Sequence, residues 1–197
     1  ERVEIIRGSQ SAVRGADAIA GTINFITRGA GQARQYSAVI SGGSHGYQRG
    51  SAEARGPLSP KADLALSAAL IDDGDATEGS RFHNRSISAK SNIFPSDDSS
   101  LRIVARVSDS DSSNFPDDSG GPVFAVRRIS DTRDATEVTV AATFEEEVSQ
   151  QWRYTVDASF YRHRELFASP GVAPGARSAF GNPVNSSESV YERMDVQ

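Results

Sequence analysis

Hydrophobic residues recur along most of the chain at every second position, the period of a strand with one apolar and one polar face. The clearest stretch is 152–162, where Trp152, Tyr154, Val156, Ala158 and Phe160 alternate with Arg153, Thr155, Asp157, Ser159 and Tyr161. Leu101, Ile103, Ala105 and Val107 alternate with Arg102, Val104, Arg106 and Ser108, and Val138, Val140, Ala142 and Phe144 with Thr139, Ala141, Thr143 and Glu145. Weaker alternation over 35–41, 46–55, 62–71, 82–93 and 189–196 predicts about eight strands in all, each near the ~10 residues that cross a bilayer as a tilted strand.

The connections also follow a pattern. Those over 56–61, 95–98 and 148–150 are short, whereas those after the third, fifth and seventh predicted strands are long, polar and rich in Gly, Pro and Asp. Tight turns at one rim and long loops at the other are the layout of an up-and-down outer-membrane barrel. The short connection 41–47 departs from it. A soluble β-sandwich shares the alternation of residues but has no reason to gather its long loops at one end.

Composition narrows this picture. Hydrophobic residues are 37% of the chain and charged residues 24%, and no apolar run approaches the ~20 residues of a membrane-spanning helix, so a helical membrane protein is excluded. A barrel remains compatible, because only alternate residues of its strands face lipid. A net charge of -5 gives no electrostatic footprint for nucleic acid. With no cysteine, neither a disulfide framework nor a thiolate metal site is available.

Residues 1–28 read differently. Two short β-type runs, 3–7 and 22–27, flank a segment punctuated by Gly8, Gly15 and Gly21, and Asp17 stands where it would cap one helical turn of Ala18-Ile19-Ala20. Residues 29–34, Gly29-Ala30-Gly31-Gln32-Ala33-Arg34, have linker composition. Both ends of the chain read as strands already under way, which suggests a fragment that starts and stops inside domains.

The run Glu1-Arg2-Val3-Glu4-Ile5-Ile6-Arg7-Gly8, continued through Ser11-Ala12-Val13-Arg14-Gly15 to Gly21-Thr22-Ile23-Asn24-Phe25-Ile26-Thr27-Arg28, resembles the end of the plug domain of TonB-dependent receptors. It departs from the usual family pattern at Ser9, at Val13-Arg14 and at Ala20. The resemblance implies a mainly β fold: a fragment of a plugged transmembrane antiparallel β-barrel of about 22 strands. Residues 1–28 would be the C-terminal part of the plug, 29–34 a linker and 35–197 the first strands of the barrel.

The implied function is TonB-dependent active transport of a siderophore-iron complex or cobalamin across the bacterial outer membrane, with no enzymatic activity. The loop order is most similar to the cobalamin-receptor branch. The implied partners are TonB, through a region upstream, the outer-membrane lipid and lipopolysaccharide, and the transported ligand. A soluble β-rich binding module is the alternative.

Candidate residues follow from both readings. The resemblance implies that Arg7 and Arg14 anchor the plug to carboxylates of the barrel wall, as a guanidinium held bidentately would do. Predicted loops concentrate Asp72, Asp73, Asp75 and Glu78 in one place and Asp109, Asp111, Asp117 and Asp118 in another. Such oxygens from flexible loops bind calcium, although solvated loop acids explain them somewhat better and the spacing is not that of an EF-hand. Asp118-Ser119-Gly120-Gly121-Pro122-Val123 copies the surroundings of a chymotrypsin-like nucleophile, yet His83 lacks the context of a catalytic base, and a Gly-Pro loop tip accounts for the motif. Trp152, Tyr154, Phe160 and Tyr161 lie near the ends of one strand, where interfacial aromatics belong.

Overall fold

A computed structural model of the chain describes residues 2–8, 21–26, 29–31, 33–74, 76, 79–114, 130–170 and 183–197. β1 (Arg2–Arg7) and β2 (Gly21–Ile26) pair antiparallel, from Arg2 opposite Ile26 to Arg7 opposite Gly21, as a two-stranded sheet of their own. The remaining strands are β3 (Gln35–Gly42), β4 (Gln48–Ser59), β5 (Ala62–Asp72), β6 (Arg81–Ile93), β7 (Ser99–Asn114), β8 (Asp131–Ser149), β9 (Trp152–Ser169) and β10 (Asn185–Val196). They form one eight-stranded antiparallel meander in which each strand pairs with its neighbours in the chain.

Turn chemistry explains how the short-turn rim is built. The Lys61 amide donates to Ser59 Oγ at 3.2 Å, Phe94 N to the Lys61 carbonyl at 2.8 Å, and Lys61 Nζ to the Pro95 carbonyl at 3.2 Å. The β4–β5 and β6–β7 turns are thereby tied together. Glu147 N donates to the Asp98 carbonyl at 2.9 Å, which extends the tie to β8. Both register shifts of the sheet, between Pro57 and Ser59 and between Glu147 and Ser149, lie at this rim. Pro57 has no N–H to give to a ladder, so a break beside it is expected. At the same rim, Arg55 donates to the Gly29 carbonyl at 3.2 Å and to Gln35 Oε1, so the expected linker is held against β4.

The strands outrun their hydrophobic alternation. β7 continues through Asp109 and Asp111 to Asn114, β8 begins at Asp131, and β9 continues to Ser169. Backbone ladder bonds do not require apolar side chains, so the ladder persists where both faces have become polar. Asp109 and Asp111, expected in a loop, are therefore strand residues.

The sheet does not close. β3 and β10 are its two edges and are not hydrogen-bonded to each other. The expected fold, a fragment of a plugged transmembrane β-barrel, is corrected to a mainly β chain with an open sheet. The physical reason is local: each strand finds its ladder partners in its chain neighbours alone, so among the described residues the outward backbone groups of β3 and β10 stay unpaired. The expectations that depended on closure fall with it: transport of siderophore or cobalamin, an outer-membrane location, and partnership with TonB, lipid and lipopolysaccharide. Among the described residues no helix is long and apolar enough to cross a membrane.

Among the described residues no second layer covers the large sheet: only Ala30, Gly56, Ser99 and Ser108 are buried. The accessible surface is 13916 Å² for 21.0 kDa, against about 9,000 Å² for a compact chain of this mass.

Candidate binding surface

Residues opposite each other in an antiparallel ladder share a face, so the register sorts the side chains of the whole sheet. Tyr36, Ala38 and Ile40 of β3 lie on the same face as Gly50, Ala52 and Ala54 of β4 and Leu64, Leu66, Ala68 and Leu70 of β5. Ile87 and Ala89 of β6 continue that face, then Ile103, Ala105 and Val107 of β7, and Val138, Val140, Ala142 and Phe144 of β8. Trp152, Tyr154, Val156, Ala158 and Phe160 of β9 and Val190, Met194 and Val196 of β10 complete it. An unbroken apolar band therefore crosses all eight strands. Its larger side chains stand in water: Ile40 is 90% exposed, Ile87 65% and Trp152 74%.

The opposite face is polar and hydrogen-bonded to itself. Asp63 accepts from Asn92 N and Nδ2, both at 2.9 Å, the Ser67 and Ser88 hydroxyls meet at 2.7 Å, and Thr143 Oγ1 donates to Asp157 at 2.6 Å. Tyr161 and Tyr191 pack there with ring centroids 6.0 Å apart. Burial first, and then the nearby Glu137 carboxylate, raise the Tyr161 phenol above its ordinary range. The alternation expected in β9 is present, with Val156, Ala158 and Phe160 on one face and Thr155, Asp157 and Ser159 on the other. Its assignment to lipid and lumen is not, because the sheet encloses no lumen.

Small residues shape the band near β3. Gly50, Ala52 and Ala68 form a floor between the taller Ile40, Leu70 and Ile87, leaving two adjoining shallow depressions of ≈ 540 and ≈ 610 Å³. On the short-turn side the band ends in aromatics: Phe144 and Tyr154 lie 6.0 Å apart and tilted, and the Tyr154 hydroxyl donates to Glu146. That hydrogen bond is the main reason the Tyr154 phenol is raised above 10.0.

On the long-loop side the same face becomes charged. Arg164 Nε lies 2.7 Å from Glu188, and Arg162 Nε lies 3.3 Å from Glu192. His83 sits between two carboxylates, with Nε2 3.0 Å from Asp72 and Nδ1 3.2 Å from Asp111. Arg81 approaches Asp111 Oδ2 at 3.2 Å, and neither His83 nor Arg81 aligns with that oxygen for a hydrogen bond.

The residues predicted from sequence distribute unevenly over this architecture. Asp72 and Asp111 converge, but around His83 and Arg81. Asp72 also accepts from Gly74 N at 2.9 Å in an Asx turn. Asp109 accepts from Thr136 at 3.1 Å, and Asp73 is exposed beyond the end of β5. Arg7 is exposed at the end of β1, opposite Gly21. Arg14, Asp75, Asp117, Asp118 and the Ser119 motif lie outside the described residues. Sequence reasoning missed His83 as the centre of a charge cluster; the register that sets it opposite Asp72 and Asp111 is the only signal that finds it.

No family model matches the chain. The identification of residues 1–28 with the TonB-dependent receptor family is accordingly corrected: together with the open sheet, it leaves a mainly β chain without a family assignment.

Proposed function

We propose that this chain is a β-rich binding module that takes a protein partner on the apolar face of its large sheet. The observation that carries the reading is the apolar band running without interruption from β3 to β10. Eight strands at about 4.8 Å spacing span ~38 Å, and the rise from Trp152 to Phe160 is ~26 Å. The band thus offers roughly 1,000 Å², above the ~800 Å² that each partner gives to a standard stable interface and above the usual apolar patch of a monomer. Apolar middle and charged margin match the anatomy of a protein–protein interface.

A library of displayed random peptides selected on the immobilised chain tests this. Enriched clones should bind the native chain, shift the emission of Trp152, its single tryptophan, to the blue, and fail on Ile87→Asp and Val140→Asp. Clones indifferent to both substitutions overturn the reading. So does a dimer in gel filtration with Trp152 already buried, which makes a second copy the occupant. A Trp152 shift obtained only with detergent micelles or phospholipid vesicles overturns it too, in favour of lipid.

A further inference from the structure

The two edges of the large sheet are built differently, and the difference singles out β3. Natural edge strands are guarded by charges, prolines or bulges that discourage pairing with another chain. β10 carries such guards: Glu188 and Glu192 are held by Arg164 and Arg162, and Arg193 lies 2.7 Å from Asp195. Its end is pinned to β9 by reciprocal bonds between Gln197 and Asp157 at 3.0 and 3.1 Å. β3, QYSAVISG, has no charge and no proline. Its register with β4 is unbroken from Gln35 to Gly42, and every one of its residues is exposed. Among the described residues nothing pairs with the outward half of its backbone donors and acceptors, which is therefore an open template.

The side chains of β3 say what would pair with it. On the apolar face Tyr36 and Ile40 are 76% and 90% exposed and flank the short Ala38. Behind Ala38 lie Ala52 and Ala68, the floor of the depressions described above. A large apolar side chain directly opposite Ala38 fits the gap between Tyr36 and Ile40, and its tip reaches over Ala38 toward that floor. On the other face Ser37, Val39 and Ser41 carry no charge, and the charged Glu53 and Arg49 stand one strand farther back, so a charged residue opposite β3 has no counter-charge directly across from it.

We infer that β3 is a strand-addition site whose occupant is an extended, uncharged segment of a protein partner, antiparallel to β3, with alternate apolar residues and a large one opposite Ala38. Ladder bonds supply the binding and the gap at Ala38 sets the register, as in other cases of strand addition to a sheet edge. This edge borders the apolar face and shares Tyr36, Ala38 and Ile40 with it, but the ladder bonds that supply the binding do not depend on a partner covering that face.

The test uses the whole chain and a synthetic eight-residue peptide of alternating Thr and Val, with one Phe placed opposite Ala38. Bound peptide should slow amide hydrogen exchange in β3 at least tenfold and leave β10 unchanged. N-methylation of alternate peptide bonds distinguishes pairing from apolar adhesion: the set facing β3 should lose binding at least tenfold, and the set facing away should bind within twofold of the parent. Val39→Lys, which puts a guard on the edge, should weaken binding at least tenfold while β5 to β9 keep their exchange protection, which shows the variant folded. Equal loss from both N-methylated sets, protection of β10 in place of β3, or full binding by a Val39→Lys chain that retains its exchange protection would each overturn the inference. Protection of β3 that rises with protein concentration in the absence of peptide would make a second copy the occupant and overturn it as well.

Discussion

Ile87 stands within the apolar band with 65% of its surface in water, so it adds little to the sheet by itself and much to any surface that covers it. Complete burial of an isoleucine is worth about 1.5–3 kcal/mol, and the exposed two-thirds corresponds to about 1–2 kcal/mol on binding. Ile87→Asp removes that gain and also requires the partner to desolvate a carboxylate. Arg85, two positions along the same face, moderates the second effect. A total of about 2 kcal/mol, or roughly a 30-fold loss of affinity, is expected. The assay is a titration with a selected peptide, followed by Trp152 emission. Urea denaturation should show folding stability within ~0.5 kcal/mol of the native chain, as for an exposed site. Ser112→Asp, on the polar face and opposite Arg133, is the control with the same charge. If Ile87→Asp binds within threefold of the native chain at unchanged stability, the apolar face is not the binding surface.

Three further perturbations test the architecture. Gly74 has φ +70°, and an added Cβ would lie 2.1 Å from the His45 carbonyl oxygen and 2.8 Å from Tyr47 N, so Gly74→Ala should cost about 1–3 kcal/mol and lower Tm by roughly 2–10 °C in a calorimetric scan. Asp63→Ala strips the acceptor from Asn92 N and Nδ2 and should cost about 1.5–3 kcal/mol in urea, with Asp63→Asn losing less. The Tyr154 and Tyr161 phenols are raised, so what they contribute to stability is complete below about pH 10 and is lost as pH rises through their folded values. Glu146→Gln removes the main cause at Tyr154; ultraviolet titration should find its midpoint back toward 10.0, and the alkaline loss of stability should be shallower than in the native chain.

Sequence made the strands visible and their surroundings invisible. In β9 the alternation from Trp152 to Phe160 places each side chain on its observed face, because a two-residue period is a property of the strand alone. It breaks down where both faces turn polar, which is why Asp109 and Asp111 read as loop acids and proved to be strand residues. His83 was noticed only as a poor catalytic base, since its carboxylate neighbours lie on β5 and β7 and meet it through register. The barrel assignment was the largest misreading. An alternating strand states that one of its faces is apolar; it does not state what covers that face.

The meander has a kinetic meaning. Each strand of the large sheet pairs only with strands adjacent in the chain, so its cooperativity resembles that of a linear array, with stability summed over neighbouring pairs and lost from the ends inward. The longest strands are central: β7, β8 and β9 have 16, 19 and 18 residues, against 8 in β3. Unfolding should begin at β3 and reach β8 and β9 last. Trp152, at the start of β9, therefore reports the end of that sequence, and amide exchange in β3 reports its beginning.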